Sequence, residues 1–263
     1  MFMRAGARFL LLSTLLVAVF LLIGARPELQ PPQPAATSAP VLVELFTSEG
    51  CSDCPPADDL LNAMARGQAM NFNVIPLAFH VTYWDQDGWR DRFSDARYTE
   101  RQQDYQGVFH TPSIYTPQTV VDGAFETVGN SPRNVFGLIS KAAAEPKPAS
   151  VKVTANGDSV LIEVHDSRPG SPRVWLAITE DDLTTDVKAG ENRSRTLHHS
   201  AVVRQIESLG KLKDGAFSRT LPLKLKNDWN RNKLHVVAFV QEGNGHVLGA
   251  GTARLSPNAV ASR

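Results

Sequence analysis

The chain has 263 residues, which suits one large domain or two domains of ordinary size. Its composition, 42% hydrophobic and 21% charged, is that of a globular protein rather than of a disordered or fibrous one. Lysine plus arginine and aspartate plus glutamate number 27 each, so the chain has no basic excess with which to neutralise phosphates, and we expect no nucleic-acid partner.

The N-terminus has the pattern of a targeting segment. Two arginines precede an almost wholly apolar run over residues 9–25, whose length lies between that of a signal peptide and that of a minimal membrane span. Cleavage at the end of this run would place Ile23 where a small residue is preferred, so residues 1–25 are predicted as a signal peptide or an uncleaved membrane anchor. The proline-rich residues 26–40 predict a disordered tether. We expect a periplasmic or secreted body that contacts the inner membrane only through an uncleaved N-terminus.

The first globular segment is predicted to begin with a strand, a helix and a second strand. The run VLVELF at residues 41–46 and the run at residues 72–81 are typical of buried strands. Between them we expect Asp53 to cap a helix, because Pro55 and Pro56 fall in the first turn, where a missing N–H costs nothing. Strand, helix and strand together predict parallel pairing with a right-handed crossover.

The two cysteines of the chain, Cys51 and Cys54, lie three residues apart at the start of this helix. A structural disulfide usually closes a long loop, because that constrains the unfolded chain most, whereas a Cys-x-x-Cys loop constrains it little. The pair is therefore better explained by redox chemistry, with an inert disulfide that fixes the loop as the alternative. A helix N-terminus stabilises a thiolate, so we expect Cys51, the outer cysteine, to be the nucleophile and Cys54 the resolving thiol.

A second segment is expected beside the cysteine pair. The carboxyl ends of parallel strands lie at one edge of a sheet, where ligands bind in open α/β proteins, so residues 80–85 should be neighbours of the cysteines. His80 and Asp85 are candidate acid/base partners for the thiols. Tyr83 and Trp84 are candidates for an apolar wall against a substrate, or equally for core anchors beside the sheet.

The rest of this half predicts a helix, a hairpin and a final helix. Residues 88–108 are polar and helix-permissive, and the Asp-Gly at residues 122–123 lies between two apolar stretches, which is a strong hairpin signal. Asn130 or Ser131 is expected to cap a helix that reaches about Ala144. The resulting order β-α-β-α-β-β-α, with Cys-x-x-Cys after the first strand and a proline before the hairpin, is the thioredoxin pattern.

The resemblance extends to particular runs, which are VELFTSEGCSDCPPAD, HVTYWDQDGWRDRF, TERQQDY, YTPQTVVDG and AGENRSRTLHHSAVVR. These runs look like those of a family of secreted thioredoxin-like proteins known only as a domain of unknown function, number 1223, and the likeness covers about residues 41–255. It implies a thioredoxin-like fold and an exported location, but no substrate. It also implies that Pro117 is the cis-proline of thioredoxin folds and that Thr116 pairs with an extended peptide, although the residues alone leave Pro112 as a competitor.

The second half of the chain has a different pattern, in which short alternating strands are separated by Gly and Asn turns. Strands are predicted at residues 151–155, 160–164, 174–179, 201–206, 217–225, 234–241 and 246–255. Such a series indicates an antiparallel sandwich. The predicted fold is therefore an α/β thioredoxin-like domain over residues 41–145, followed by an antiparallel β-sandwich-like domain over residues 149–256.

These features predict an exported thiol-disulfide oxidoreductase. Its catalytic residues would be Cys51 and Cys54, and its substrate-binding residues would be Thr116, Pro117, His80, Tyr83, Trp84 and Asp85. We expect its partner to be a cysteine-containing protein or a small thiol in the exported compartment, and we expect no cofactor and no metal.

Two alternatives use the same sequence differently. A copper or zinc handling protein would bind the metal with Cys51, Cys54 and His80. A non-catalytic interaction module would use the sandwich to bind a partner, with a vestigial disulfide. His198 and His199 are adjacent on a predicted strand and point to opposite faces, so we do not expect them to bind a metal together.

Overall fold

The computed structural model describes residues 39–255, so the targeting segment predicted for residues 1–25 lies outside the described residues, as does nearly all of the tether predicted for residues 26–40. Within residues 39–255, no helix is long and apolar enough to cross a membrane. These residues belong to one compact unit.

Residues 41–145 contain strands and helices in the predicted order. The strands are β1 (Val41–Thr47), β2 (Val74–His80), β3 (Gln118–Val121) and β4 (Phe125–Val128). The helices are α1 (Pro55–Ala65), α2 (Ala96–Phe109) and α3 (Pro132–Ala143). The order β-α-β-α-β-β-α is therefore confirmed.

Residues 149–255 are built mainly from strands. These are β5 (Ala149–Asn156), β6 (Ser159–Asp166), β7 (Arg173–Glu180), β8 (Leu183–Asp186), β9 (Thr196–His199), β10 (Val202–Lys211), β11 (Ala216–Pro222), β12 (Leu234–Gln241) and β13 (Val247–Arg254). A short 3-10 helix, Arg231–Lys233, precedes β12. Every predicted strand is present, and the β8–β9 hairpin is an addition that the alternation pattern did not reveal.

An eight-stranded mixed sheet runs through both halves in the order β13-β12-β7-β10-β2-β1-β3-β4. Strands β1 and β2 are parallel along their whole length, as predicted, and β3 pairs with β1 in the antiparallel sense. Strand β10 joins β2 in parallel at the pair Val202↔Ala78, and the Ala78 N–H donates to the Ala201 carbonyl at 2.8 Å. Strands β7, β10, β12 and β13, which the sequence suggested for a sandwich, therefore extend the first sheet.

The free edge of β2 explains this extension. Its residues Ile75, Leu77 and Phe79 are buried, and an apolar strand with an unpaired edge readily accepts another strand. A smaller sheet, β11-β6-β5, packs on the outer strands of the large one, and a core forms between them from Val160, Ile162, Val164, Leu176, Val236 and Ala238. The mixed α/β class is confirmed, and the large sheet is continuous across the boundary predicted near residue 145.

Local signals set the ends of the helices and the turn of the hairpin. Helix α1 has Cys54 as its N-cap, not Asp53 as predicted, and no side chain makes a capping hydrogen bond at this helix start. Ser131 caps α3 by accepting a hydrogen bond from the Asn134 N–H at 3.5 Å. The β3–β4 turn is at residues 122–123, where both φ angles are positive.

Strand β1 lies in the middle of the core, and all its residues are buried. On one face Leu45 packs with Leu61 of α1 and Ile139 of α3. On the other face the Phe46 ring lies 6.0 Å from the Tyr105 ring of α2. Burial of each large apolar side chain contributes about 1.5–3 kcal/mol, so the carboxyl end of β1 is a rigid base for the loop that follows it.

A buried ion pair lies on the α2 side of the sheet. Arg101 Nε and Nη2 donate to the two carboxylate oxygens of Glu44 at 2.5 and 2.9 Å, and the Tyr105 hydroxyl donates to Glu44 at 2.5 Å. Gln241 of β12 donates to the Tyr105 hydroxyl at 2.9 Å. Since buried charges need paired partners, this cluster is stable only when both Glu44 and Arg101 are present.

Candidate functional site

Cys51 and Cys54 form a disulfide between the end of β1 and the start of α1, with their Cα atoms 5.4 Å apart. The side chains are 1% and 0% exposed, respectively. The expectation that Cys51 lies on the outside is therefore wrong for this conformation, since both cysteines are buried. The residues between them, Ser52 and Asp53, are exposed.

The loop between β8 and β9 covers Cys51. The Asn192 side-chain amide, which is 0% exposed, donates to the carbonyls of Glu49 at 2.9 Å and of Cys51 at 2.8 Å. Arg195 Nη1 in turn donates to Asn192 Oδ1 at 2.9 Å. This loop comes from the second half of the chain, more than 130 residues away, and it packs against the backbone of the buried Cys51.

His80 and Asp91 form a buried pair behind the disulfide loop. His80 Nδ1 lies 2.6 Å from Asp91 Oδ2, and that oxygen also accepts the Glu49 backbone N–H at 2.8 Å. Burial tends to raise the pKa of Asp91, but the charge and hydrogen bond of His80 outweigh it and hold that pKa below its ordinary value. Asp91 therefore ties His80 to the residue two positions before Cys51.

Asp85, the other predicted acid/base residue, organises the loop after β2. Its Oδ1 accepts the Asp91 backbone N–H at 3.1 Å, and its Oδ2 accepts the Ser94 hydroxyl at 2.7 Å. The carboxylate that contacts His80 is thus Asp91, and Asp85 supports Asp91 from the far side.

Asp58 and His199 form a second buried group, on the helix side of the disulfide. Asp58 accepts a hydrogen bond from the Thr47 hydroxyl at 2.8 Å, and His199 Nδ1 lies 3.9 Å from its other oxygen. Burial raises the pKa of Asp58 to about 7, and His199 and Thr47 lower it only in part. His199 Nε2 lies 3.5 Å from Glu49 Oε1, and the His199 ring is 5.0 Å from the His80 ring.

This buried cluster of His80, Asp91, Glu49, Asp58 and His199 has unusual features for a structural core. Among the described residues, the Nε2 atoms of both histidines and Glu49 Oε1 make no hydrogen bond. Such buried, unsatisfied polar atoms are rare and commonly mark functional sites. A cleft of about 390 Å³, lined by Asp58, Asp59, Arg195 and His198, opens beside the first turn of α1.

Four of the predicted substrate-binding residues, Tyr83, Trp84, Thr116 and Pro117, lie apart from His80 and Asp85, on the Trp84 side of the cysteine loop. Trp84 Nε1 donates to the Thr116 hydroxyl at 2.8 Å, and a Cβ built on Gly50 would lie 3.0 Å from the Trp84 Cβ. Trp84 therefore lies between Thr116 and the residue before Cys51. The Thr116–Pro117 peptide bond is cis, as the resemblance implies.

Tyr83 contributes its ring to the base of this region rather than an ionisable group. Its hydroxyl donates to Gln102 Oε1 of α2 at 3.3 Å. Burial raises the Tyr83 pKa to about 12, so the phenol stays neutral at physiological pH. The four residues Tyr83, Trp84, Thr116 and Pro117 therefore share one side of the cysteine loop.

The described residues contain no arrangement of ligands that would support the metal-binding alternative. Over residues 39–255, no group of three or more His, Cys, Asp or Glu side chains is placed so that it could hold a metal ion. In particular, the proposed set of Cys51, Cys54 and His80 is not such a group.

Several residues of the site were not found from the sequence. His198 and His199 do face opposite ways, with His198 exposed and His199 buried, but the buried one reaches the cysteine helix. Asp58 follows Cys54 by four residues, and this helical spacing was a signal that it shares the face of Cys54. Asn192 and Asp91 gave no local signal.

Comparisons with known proteins agree with the fold and leave the activity open. A profile of the family described as "Protein of unknown function (DUF1223)" matches residues 42–241. Protein AGR_C_4864 from Agrobacterium tumefaciens has a similar structure (TM-score 0.67, 25% identity, 85% of this chain and 97% of that one). HBP35 of Porphyromonas gingivalis is also similar (TM-score 0.64, 16% identity, 88% of this chain and 80% of that one). No curated protein matches the chain.

Proposed function

The chain belongs to the family of proteins of unknown function DUF1223, and from the disulfide site of this member we propose that it is an exported thiol-disulfide oxidoreductase. The observation that carries the proposal is the Cys51–Cys54 disulfide at the N-terminus of α1, beside a buried cluster of ionisable side chains. A short disulfide of this kind contributes little stability, so redox chemistry is the better reason for its presence.

The proposed exchange proceeds through a mixed disulfide. A thiolate of the partner attacks Cys51 Sγ, a new S–S bond forms, the Cys51–Cys54 bond breaks, and the electron pair leaves on Cys54 Sγ. A second partner thiolate then attacks the partner's own sulfur and releases Cys51, so the partner is oxidised to a disulfide and both cysteines take up protons. The reverse sequence oxidises Cys51 and Cys54 and reduces the partner.

The helix favours Cys51 as the nucleophile of the reduced pair. Cys51 precedes α1, whose free N–H groups and dipole stabilise a thiolate, while Cys54 caps the helix and is fully buried. The exposed carboxylate of Asp53 opposes thiolate formation by like charge, so we expect a moderate lowering of the thiol pKa rather than an extreme one.

The partner in this proposal is a cysteine-containing protein or a small thiol of the periplasm or the extracellular space. Thr116 and Pro117 hold its extended chain, and Tyr83 and Trp84 give it an apolar surface. His80, oriented by Asp91, exchanges protons with the thiols. In this scheme residues 41–145 act as the thioredoxin-like part, and residues 149–255 control encounter with partners.

A trapping experiment tests the proposal. With Cys54→Ser, a partner captured on Cys51 cannot be released by Cys54, so we expect mixed disulfides to accumulate with a model peptide disulfide and with proteins of the exported compartment. Cys51→Ser is the matched control, and it should capture little because its remaining thiol, Cys54, is the resolving thiol and not the sulfur that joins the partner. Equal, negligible capture by both variants after full reduction would reject exchange catalysis in favour of an inert bridge.

A further inference from the structure

The sulfur that a partner must attack is almost completely covered in the oxidised protein. Cys51 is 1% exposed, and thiol-disulfide exchange requires the incoming thiolate to reach the sulfur directly. Residues 187–195, which join β8 to β9 and are called here the cover loop, contact the backbone on both sides of Cys51. The cover loop could either stay packed against the cysteine loop during exchange or move away from it.

The cover loop has a defined internal structure of its own. The Val187 N–H donates to the Arg195 carbonyl and the Ser194 N–H donates to the Val187 carbonyl, both at 2.9 Å, and Arg193 N–H donates to the Gly190 carbonyl at 3.2 Å. Val187 is buried, whereas the side chains at the tip are mostly exposed. The loop can therefore move as one piece while keeping its internal bonds.

The tip of the cover loop is attached to the cysteine loop by a small number of polar contacts. Asn192 donates to the Glu49 and Cys51 carbonyls, and the exposed Glu191 carboxylate accepts the Ser52 backbone N–H at 3.1 Å. These contacts use backbone groups on both sides of the Cys51 sulfur. An extended partner chain that approaches Cys51 would need the same space and the same backbone groups.

A second attachment is a close backbone approach. Gly190 has a positive φ of 73, and a Cβ at this position would lie 3.0 Å from the Trp89 Cβ. Trp89 in turn donates its indole N–H to Glu49 Oε2 at 2.8 Å. The tip thus lies against the segment after β2 and against the cysteine loop, so it closes the space between them.

We propose that the cover loop is an autoinhibitory cover of the disulfide, held mainly by Asn192, and that it must leave Cys51 before a partner thiolate can attack. This inference rests on the proposed function. When the loop is closed, the two amide hydrogen bonds of Asn192 occupy the approach to Cys51. When it opens, the Cys51 sulfur becomes accessible to the partner thiolate, and the exchange begins.

The test is the rate at which dithiothreitol reduces the Cys51–Cys54 disulfide, measured by quenched alkylation and mass spectrometry on the oxidised protein. Asn192→Ala removes both hydrogen bonds and should increase the second-order rate by about tenfold, because two lost bonds shift the opening equilibrium. Glu191→Ala, an exposed position that carries no folding risk, should increase it by roughly threefold.

Asn62→Ala is the matched control. Asn62 on α1 donates its side-chain amide to the His198 carbonyl at 2.7 Å, so it also joins α1 to the second half but does not cover Cys51. The proposal predicts no increase in rate for this variant. It is overturned if Asn192→Ala and Glu191→Ala are reduced at the wild-type rate, or if Asn62→Ala is accelerated as much as they are.

Exchange on a peptide disulfide, measured with the same samples, distinguishes failure of the cover loop proposal from failure of the proposed oxidoreductase function. Faster reduction by dithiothreitol in Asn192→Ala together with faster exchange on a peptide disulfide supports both. Faster reduction by dithiothreitol with no exchange on any peptide disulfide retains the cover and rejects the oxidoreductase.

Discussion

Residues 41–145 and residues 149–255 contribute to one site in different ways. The first half supplies the disulfide, the helix that stabilises a thiolate and the Trp84–Thr116 side of the cysteine loop. The second half supplies Asn192 on the outside of that loop and His199 on its inside. If the pair exchanges disulfides as proposed, the contacts of Asn192 from the second half would control when it reacts.

Both halves also contribute to the Glu44–Arg101 cluster, and substitutions in each half measure how much each contribution stabilises the fold. Glu44→Ala leaves the Arg101 guanidinium buried without a counter-charge, and we expect the free energy of unfolding to fall by about 3–5 kcal/mol. Gln241→Ala removes the neutral partner that the second half provides, and we expect a smaller loss of about 1–3 kcal/mol.

Chemical denaturation of the oxidised protein measures both losses. If Gln241→Ala lowered the free energy of unfolding as much as Glu44→Ala, the expected difference would be wrong, and the cluster would act mainly as a bond between the halves. A loss for Glu44→Ala below about 1 kcal/mol would mean that Arg101 finds other compensation, such as the aromatic rings around it.

The two halves also meet at Asp58, whose raised pKa should make the free energy of unfolding depend on pH. Its pKa in the folded protein is about 7, against an ordinary 3.8, so between about pH 4 and pH 7 the folded state binds this proton more tightly than the unfolded state. The contribution of Asp58 is therefore most favourable below pH 4 and is lost as the pH rises to about 7. Asp58→Asn should remove up to roughly 4 kcal/mol of this pH dependence.

Asp59→Asn is the matched control, because Asp59 is the exposed neighbour on the same helix turn. It should keep the wild-type slope of stability against pH. The groups that act on the Asp58 carboxyl are His199, Thr47, Asp91 and Asp59. Identical slopes for wild type and Asp58→Asn would show that Asp58 is ionised in the folded protein at all these pH values.

Much of the first half could be predicted because its signals are local. The apolar run of β1, the prolines of α1, the Asp-Gly turn at residues 122–123 and the Ser131 cap each depend on a few neighbouring residues. The disulfide was also predictable, since its cysteines are three residues apart.

The rest depends on contacts between residues far apart in sequence. The pairing of β10 with β2 joins residues 202 and 78, and the choice of which strand covers a free edge has no local signature. Asn192 and Cys51 are 141 positions apart in the sequence, so no local pattern around either residue predicts their contact. Cys51, predicted to be the outer cysteine, is buried in the complete fold.

Thiol-disulfide exchange by the Cys51–Cys54 pair is best tested by its reduction potential, measured by thiol trapping of the protein across a graded glutathione buffer. We expect a value between about −120 and −270 mV, the range of known exchange catalysts, with Cys51 alkylated before Cys54. A value below about −300 mV with both thiols unreactive would contradict it and make the bridge structural.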